Sequence, residues 1–290
     1  MHFSIHYTTS YSYAAPVSDN LNALRVRPAT TASQRCDEFH VRIDPETRLG
    51  RHADYFGTEV IEFGISKPHS ALTIDVRARV VTSDPAPAPD PAWEELRSAA
   101  YLEAAGEYLL ASIPEPPLRA LAEFNHLHEA PSPLHSALSL CELIPDRFAY
   151  RRGATYVGSS VADLLDIGAG VCQDFVHLAL ILLRHGGIAA RYVSGYLFAD
   201  PDEDGDDSVE VDTHAWLEIL LPSSAGRGEP VWVGLDPTNR VAASERYVKI
   251  GHGRHYDDVP PIKGVYRGGP SELRAHVVMT RLDPATTARA

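Results

Sequence analysis

Apolar and polar residues alternate along the first part of the chain, which is the pattern of half-buried strands. The alternation begins at residues 3–7 and returns over residues 39–43, 60–65 and 72–80. Proline, glycine and aspartate separate these segments, as expected for turns between strands. The pattern predicts a β-rich domain over residues 1–83.

Prolines recur at short intervals in residues 84–91. Because proline fits neither the interior of a helix nor a central strand, this segment is predicted to be a linker. Helices are predicted after it, at about residues 91–112, 116–127 and 132–145. The remaining chain, residues 92–290, is therefore predicted to form a second domain with both helices and strands.

Cys172 follows a glycine turn and begins a predicted buried helix. Apolar residues recur at helical spacing from Val171 to Leu182, and two glycines then stop the helix. A free thiol is mostly protonated at neutral pH, and the thiolate is the nucleophile. A helix N-terminus favours negative charge, so this position is expected to activate the cysteine.

Two further candidate groups, His214 and Asp236, lie on segments that both have strand patterns. These segments, residues 213–221 and 231–236, are separated by a stretch rich in serine, glycine and proline, which predicts a hairpin. A symmetric hairpin centred on Ala225 puts His214 directly opposite Asp236. The same register collects alternate apolar residues on the other face, where they suit a core.

A thiol, an imidazole and a carboxylate in this order point to nucleophilic catalysis by an activated cysteine. The histidine pairs with the thiol, and the carboxylate fixes the tautomer and orientation of the imidazole. The backbone N–H of Cys172 is a natural donor to an oxyanion. Trp216 and Tyr156 are candidates for a second donor.

Three motifs resemble the core of the bacterial transglutaminase-like family, relatives of papain-type cysteine enzymes. They are Gly-Val-Cys-Gln-Asp-Phe at 170–175, Thr-His-Ala-Trp at 213–216 and Gly-Leu-Asp-Pro-Thr-Asn at 234–239. Residues 1–83 resemble the β-rich domain that precedes the catalytic domain in such proteins. The tail also matches, except that the family pattern usually has aspartate where this chain has His255.

The resemblance implies an α+β fold, in which helices pack on an antiparallel sheet behind the N-terminal β-rich domain. It also implies that Cys172 is the nucleophile, His214 the general base and acid, and Asp236 the orienting carboxylate. No cofactor and no metal are implied.

Bulk properties narrow the function class. The net charge of −13 argues against a general binder of nucleic acid or of anionic membranes. The N-terminus has no basic region followed by an apolar run, so no secretory signal is expected. We therefore expect a cytoplasmic protein whose partner is a peptide or small amide substrate. The oligomeric state is not predicted.

The other polar clusters have ordinary interpretations. Cys36 and Cys141 have no zinc-like spacing and are predicted to be small buried residues. The acidic run over residues 200–207 begins like a calcium loop, but position 211, where the chelating glutamate should stand, is valine. A solvated loop is favoured there, with a weak calcium site or a lid as alternatives. The histidines outside the motifs are predicted to lie on the surface or to form hydrogen bonds.

The predicted reaction is acyl transfer on amide bonds through a thioester. Its favoured form is hydrolysis, as catalysed by a cysteine protease or amidase. Amide transfer to an amine, as in a transglutaminase, would use the same three residues. A non-catalytic binding module on the same fold would also carry these motifs. A redox-sensing cysteine would need a resolving thiol, and none lies nearby in the sequence.

Overall fold

A computed structural model describes residues 1–116, 120–122, 124, 129–199, 208–211, 213–223 and 228–283. Within these residues the chain forms strands and helices that build two antiparallel sheets, one short two-stranded parallel sheet and a helical layer. In chain order, the strands are β1 (His2–Leu24), β2 (Gln34–Asp44), β3 (Leu49–Ala53), β4 (Glu59–Ile65), β5 (His69–Thr82), β6 (Ala149–Tyr150), β7 (Ala169–Gly170), β8 (Ala190–Leu197), β9 (Ser208–Val211), β10 (Thr213–Leu221), β11 (Val231–Asp236), β12 (Val241–Ala242), β13 (Tyr247–Gly253), β14 (Ile262–Arg267) and β15 (Ser271–Arg281).

The described helices are few and uneven in length. The α-helices are α1 (Ala99–Ala105), α2 (Pro133–Arg147), α3 (Val161–Ile167) and α4 (Cys172–His185), and short 3-10 turns are Trp93–Arg97, Gly106–Leu109 and Tyr256–Asp258. The first predicted helix, at 91–112, is thus broken into short pieces. Ser98, an extended residue whose side chain caps α1, interrupts it. The second, at 116–127, lies largely outside the described residues, and the third corresponds to α2.

The first sheet has β1 at its centre and confirms the strands predicted in the N-terminal region. The first half of β1 pairs with β5 on one side and with β15 on the other. Its second half pairs with β4 and β14. The alternating apolar residues of β1, which begin with Phe3, Ile5 and Tyr7, are buried in the core of this sheet.

The second sheet, in the order β12-β11-β10-β8-β13, carries the candidate functional residues. Helix α4 packs against β10 and β8. Every residue of α4 from Asp174 to Arg184 is buried. Burial of a leucine or isoleucine side chain is worth about 1.5–3 kcal/mol, so this apolar run anchors the helix firmly. The start of α4, where Cys172 lies, is thereby held at a fixed place beside the sheet.

The two sheets do not follow the predicted division of the chain at residues 84–91. Strands β9, β14 and β15, which belong to the predicted domain 92–290, join the first sheet. Tyr196 and Val248 of the second sheet also lie in the core of the first. Strand pairing is set by long-range contacts, whereas the linker prediction used only local composition.

No helix in the described part of the chain is both long enough and apolar enough to cross a membrane.

Candidate active site

Cys172 is the first residue of α4, as the sequence predicts. The chain enters this helix from α3 through Gly168, which has a φ of 71° that favours glycine, and through the short strand β7. A side chain at Gly170 would lie only 2.8 Å from the Asp174 carboxylate, so glycine is required there. The glycine turn thus brings the backbone close to the first turn of the helix.

Asp174 fixes the start of α4. Its Oδ2 accepts hydrogen bonds from the Val171 N–H at 2.8 Å and from the Thr155 hydroxyl at 2.5 Å. The first bond is the reciprocal half of a capping box, which satisfies a backbone N–H that the helix cannot. Asp174 therefore holds Val171, the residue that precedes the nucleophile Cys172, in place.

The hairpin that carries His214 and Asp236 has the predicted strands but a different register. Leu217 lies opposite Leu235 and Ile219 opposite Val233, so His214 is not directly opposite Asp236. The opposing partners are therefore shifted by two positions from the symmetric prediction. An even shift keeps each side chain on its predicted face. His214 and Asp236 are consequently diagonal neighbours.

A diagonal separation is still within reach of long side chains, and the two residues are hydrogen-bonded. His214 Nε2 donates to Asp236 Oδ2 at 2.7 Å, because a carboxylate can only accept. The same oxygen accepts from the Asn239 amide at 2.7 Å and from the Tyr247 hydroxyl at 2.8 Å. The other oxygen, Oδ1, accepts from the Thr238 N–H at 2.8 Å.

These hydrogen bonds keep a fully buried carboxylate ionised. Burial by itself raises the pKa of Asp236, but hydrogen bonds from His214, Asn239 and Tyr247 outweigh it and lower the pKa. A buried charge is tolerated only when it is paired and hydrogen-bonded, and Asp236 meets both conditions. Its position therefore fixes which nitrogen of His214 carries the proton toward the carboxylate.

The electrostatics of His214 link the carboxylate to the cysteine. Burial lowers the pKa of His214, but hydrogen bonds with Asp236 and Cys172 and their negative charges raise it to about 9. Since Nε2 is used by Asp236, Nδ1 is the nitrogen that faces Cys172. His214 is thus protonated at neutral pH, and the structure brings all three predicted site residues together.

The aromatic ring of Trp216 packs against the imidazole of His214. Its ring stacks on His214 with an interplanar angle of 22° and meets Tyr247 edge-on. Gly195, opposite His214 on β8, leaves room for the indole. A Cβ atom at Gly195 would lie 2.6 Å from the Trp216 ring and 2.1 Å from the carbonyl oxygen of Val248.

Replacing Gly195 with alanine is therefore expected to destabilise the protein. Overpacking a well-packed core costs about 1–3 kcal/mol, and the clash with backbone puts this variant at the upper end of that range. Urea denaturation of the variant measures the loss of unfolding free energy. Gly50→Ala, in an exposed strand where the nearest atom would be 3.8 Å away, is the matched control. Equal stability of the two variants would show that Gly195 does not hold Trp216 in place.

Cys172 and His214 line a cavity of about 330 Å³, called here the catalytic cavity, whereas Asp236 is fully buried and does not line it. Apolar and aromatic side chains form much of its wall, and an arginine stands at its edge. The residues that line it are Tyr150, Arg152, Gly153, Val157, Val171, Cys172, Gln173, Tyr192, Ser194, Thr213, His214, Ala215, Tyr256 and Pro261. Tyr256 and Pro261 come from the tail, so the tail forms part of the site.

Sequence reasoning missed two partners of Asp236. Asn239 could have been found, because an aspartate followed by Pro-Thr-Asn predicts a turn closed by its side chain. Tyr247 has no such local signal, since it lies on β13, the strand on the far side of β8. Neither predicted second oxyanion donor lines the catalytic cavity: Trp216 is buried behind His214, and Tyr156 is 77% exposed.

The remaining cysteines differ from each other. Cys141 is buried, and burial raises its pKa to about 12, which makes it inert. Cys36 is only half-buried, contrary to the prediction, because it lies on β2 at one side of the first sheet. The acidic run over residues 200–207 lies outside the described residues. Among the described residues, no group of three or more histidine, cysteine or acidic side chains could hold a metal ion.

His255 caps the short turn Tyr256–Asp258. Its side chain accepts a hydrogen bond from the Asp257 N–H at 3.2 Å. Aspartate and asparagine commonly fill this capping role, and here His255 fills it and holds the turn that carries Tyr256.

Helices packed on an antiparallel sheet, behind a β-rich region, define the fold of a papain-like, transglutaminase-like protein. Residues 3–81 match the bacterial transglutaminase-like N-terminal region, and residues 124–237 match the transglutaminase-like superfamily. The chain belongs to this superfamily, and cysteine-dependent amide chemistry is the chemistry that membership supports.

Relatives of similar length occur in mycobacteria. An uncharacterized protein of Mycobacterium leprae is 36% identical over 279 residues, which are 95% of this chain and 97% of that protein. A protein-glutamine gamma-glutamyltransferase of Pseudomonas aeruginosa is 31% identical over 165 residues, which are 53% of this chain and 24% of that protein.

One solved structure resembles nearly the whole chain. It is a protein of Cytophaga hutchinsonii described as a "Putative Cysteine Protease", and it is 22% identical with a TM-score of 0.73. The similarity covers 98% of this chain and 91% of that one. This likeness establishes the shared fold.

Proposed function

We propose that this protein catalyses cysteine-dependent acyl transfer on amide bonds through a thioester on Cys172. The observation that carries the proposal is a connected row of three groups: Cys172 at the start of α4, His214 facing it, and Asp236 bonded to His214. Nucleophile, base and orienting carboxylate in hydrogen-bond reach are the general signature of an activated nucleophile.

Each group has a defined part in the reaction. The Cys172 sulfur attacks the amide carbonyl carbon, and the carbonyl electron pair moves to oxygen to give a tetrahedral oxyanion. The oxyanion collapses as His214 gives its proton to the leaving amine, which yields a thioester and free amine. A second nucleophile then attacks the thioester, gives up its proton to His214, and releases the thiolate.

Water is the proposed second nucleophile, which makes the reaction hydrolysis of a peptide or small amide. The chain has only two glutamines and three lysines, so it offers little for crosslinking to itself. Of these, Gln34 is buried and bonded to backbone carbonyls, and Lys249 is bonded to Glu218.

A cytoplasmic location stays a prediction.

Transfer to an amine is the second candidate. It is favoured by the similarity to the Pseudomonas aeruginosa protein-glutamine gamma-glutamyltransferase, which spans about half of this chain. Peptides with glutamine and C-terminal amides, offered with and without a labelled primary amine, distinguish the two reactions. Hydrolysis releases ammonia or amine without incorporating the label. Transfer attaches the labelled amine to the peptide, and correspondingly less of the peptide is converted to the free acid.

The proposal is tested by labelled iodoacetamide and amide turnover, each measured in the wild type and in Cys172→Ala. We expect both signals to depend on Cys172. A binding module would instead bind peptide amides without releasing amine and would have a thiol of ordinary reactivity. A redox sensor would lose a second thiol when treated with peroxide.

Turnover is expected to fall as pH rises through about 9, because His214 then loses the proton that it gives to the leaving amine. The hydrogen bonds to Asp236 and Cys172 raise the pKa of His214, so the charged form persists above the ordinary histidine value. Initial rates measured between about pH 6 and pH 10 locate this alkaline limb. A limb near 6.5, the ordinary histidine pKa, would contradict this account of His214.

A further inference from the structure

Acyl transfer needs two donors for the oxyanion, and only one is evident from the position of the nucleophile. The N–H of Cys172 is at the start of α4, where the backbone has no acceptor within the helix. Neither Trp216 nor Tyr156 lines the catalytic cavity. The second donor therefore has to come from another residue in its wall.

Tyr192 is a tyrosine of β8 that lines the catalytic cavity together with Cys172. Its side chain is held rigidly, since its ring meets Tyr256 edge-on with centroids 6.1 Å apart and lies 5.4 Å from the ring of His177. His177, in turn, accepts a hydrogen bond from the Tyr256 N–H at 3.3 Å. These contacts hold the ring of Tyr192 and, with it, the position of the hydroxyl group.

The Tyr192 hydroxyl has no hydrogen-bond partner among the described residues. The residue is only 2% exposed. Among the described residues, the side-chain oxygens that are both fully buried and unpaired belong to Thr9, Thr58 and Thr238, so the unpaired Tyr192 oxygen is accessible from the catalytic cavity that this residue lines. An unpaired hydroxyl in the wall of a reaction cavity is free to donate to a group that forms during the reaction.

The proton of this hydroxyl is firmly held. Burial raises the pKa of Tyr192 well above its ordinary value, and the negative charges of Cys172 and Asp174 raise it further. Tyr192 therefore keeps its proton at a pH at which an ordinary tyrosine begins to lose it.

We propose that the Tyr192 hydroxyl is the second donor of the oxyanion hole, opposite the backbone N–H of Cys172. It donates to the carbonyl oxygen as that oxygen gains charge, so it stabilises the tetrahedral state more than the bound substrate. The inference rests on the proposed acyl transfer by Cys172.

The test compares two reactions of the same thiol in Tyr192→Phe. Attack on iodoacetamide displaces iodide at a saturated carbon and forms no oxyanion. Acylation by p-nitrophenyl acetate passes through a tetrahedral oxyanion. We expect the acylation rate to fall roughly 100-fold, the scale of losing one oxyanion donor. We expect the alkylation rate to stay within about twofold, since the thiol and His214 are untouched.

Two variants make the comparison specific. Tyr196→Phe removes the hydroxyl of another fully buried tyrosine on the same strand, which packs in the core of the first sheet. It should acylate at the wild-type rate. Ser194→Ala removes the neighbouring buried hydroxyl that also lines the catalytic cavity. It should change acylation much less than Tyr192→Phe. Thermal melting should give similar midpoints for Tyr192→Phe and Tyr196→Phe.

Three results would overturn the inference. Acylation of Tyr192→Phe at the wild-type rate would show that the hydroxyl does not bind the oxyanion. A parallel fall in alkylation would mean that Tyr192 acts on the thiol instead. A larger effect in Ser194→Ala would assign the role to serine. Failure of the proposed function looks different, because the wild type itself would then not be acylated at Cys172.

Discussion

Cys172→Ala is expected to lower amide turnover by roughly 10,000-fold or more, because the nucleophile and its covalent intermediate are lost together. Labelling by iodoacetamide at this position disappears as well. Alanine fits the site, since Cys172 lies at the surface of the cavity at the start of α4 rather than in the core. The melting temperature should therefore change little. Initial rates, peptide mapping of the label and thermal melting give the three readouts.

The matched control is Cys36→Ala, which removes the other half-exposed thiol. Cys36 lies on β2 in the first sheet and does not line the catalytic cavity. This variant should keep wild-type turnover and should lose only the label at its own position. Unchanged turnover in Cys172→Ala would remove the basis for a thioester mechanism.

Asp236→Asn is expected to lower kcat by roughly 1,000- to 10,000-fold, as loss of the orienting carboxylate does in other nucleophile–histidine pairs. In this variant, an amide NH2 group in place of Oδ2 would face the donor groups of His214, Asn239 and Tyr247 and could not accept from them. The imidazole then loses the acceptor that fixes its tautomer. The acceptor charge is lost as well, so the pKa of His214 should fall toward the ordinary value.

The pH profile separates this catalytic effect from simple unfolding. The alkaline limb of Asp236→Asn should move below that of the wild type, which is expected near 9. Asp75→Asn is the control, because Asp75 is paired with His6 on the first sheet, away from the catalytic cavity. That variant should keep the wild-type rate and limb. An Asp236→Asn protein with a wild-type pH profile would contradict the role given to Asp236.

Local sequence patterns predicted the parts of the site that depend on local structure. The apolar run and its glycine boundaries predicted α4 from Cys172 to His185. Alternation predicted β10 and β11 with their observed bounds. The register was wrong because the loop between them carries no apolar pattern that fixes its centre. Face assignment survived, since alternation determines which side a residue takes even when its partner is mistaken.

The parts that depend on distant pairing could not be predicted. Strand β15 lies beside β1 although the two are at opposite ends of the chain. Tyr247 bonds Asp236 from β13, and Tyr192 enters the catalytic cavity from β8. Nothing near these tyrosines in the sequence marks them as functional. Their positions follow from sheet order, which is decided by packing of the whole domain.

The most direct test of the central claim is to trap the acyl group. The wild-type protein is mixed with glutamine peptides and peptide amides, quenched with acid during turnover, digested and analysed by mass spectrometry. We predict an acyl group on the peptide that contains Cys172, removable by hydroxylamine and absent from Cys172→Ala. Release of amine with Cys172 unmodified, or an acyl group on another residue, would contradict the thioester mechanism.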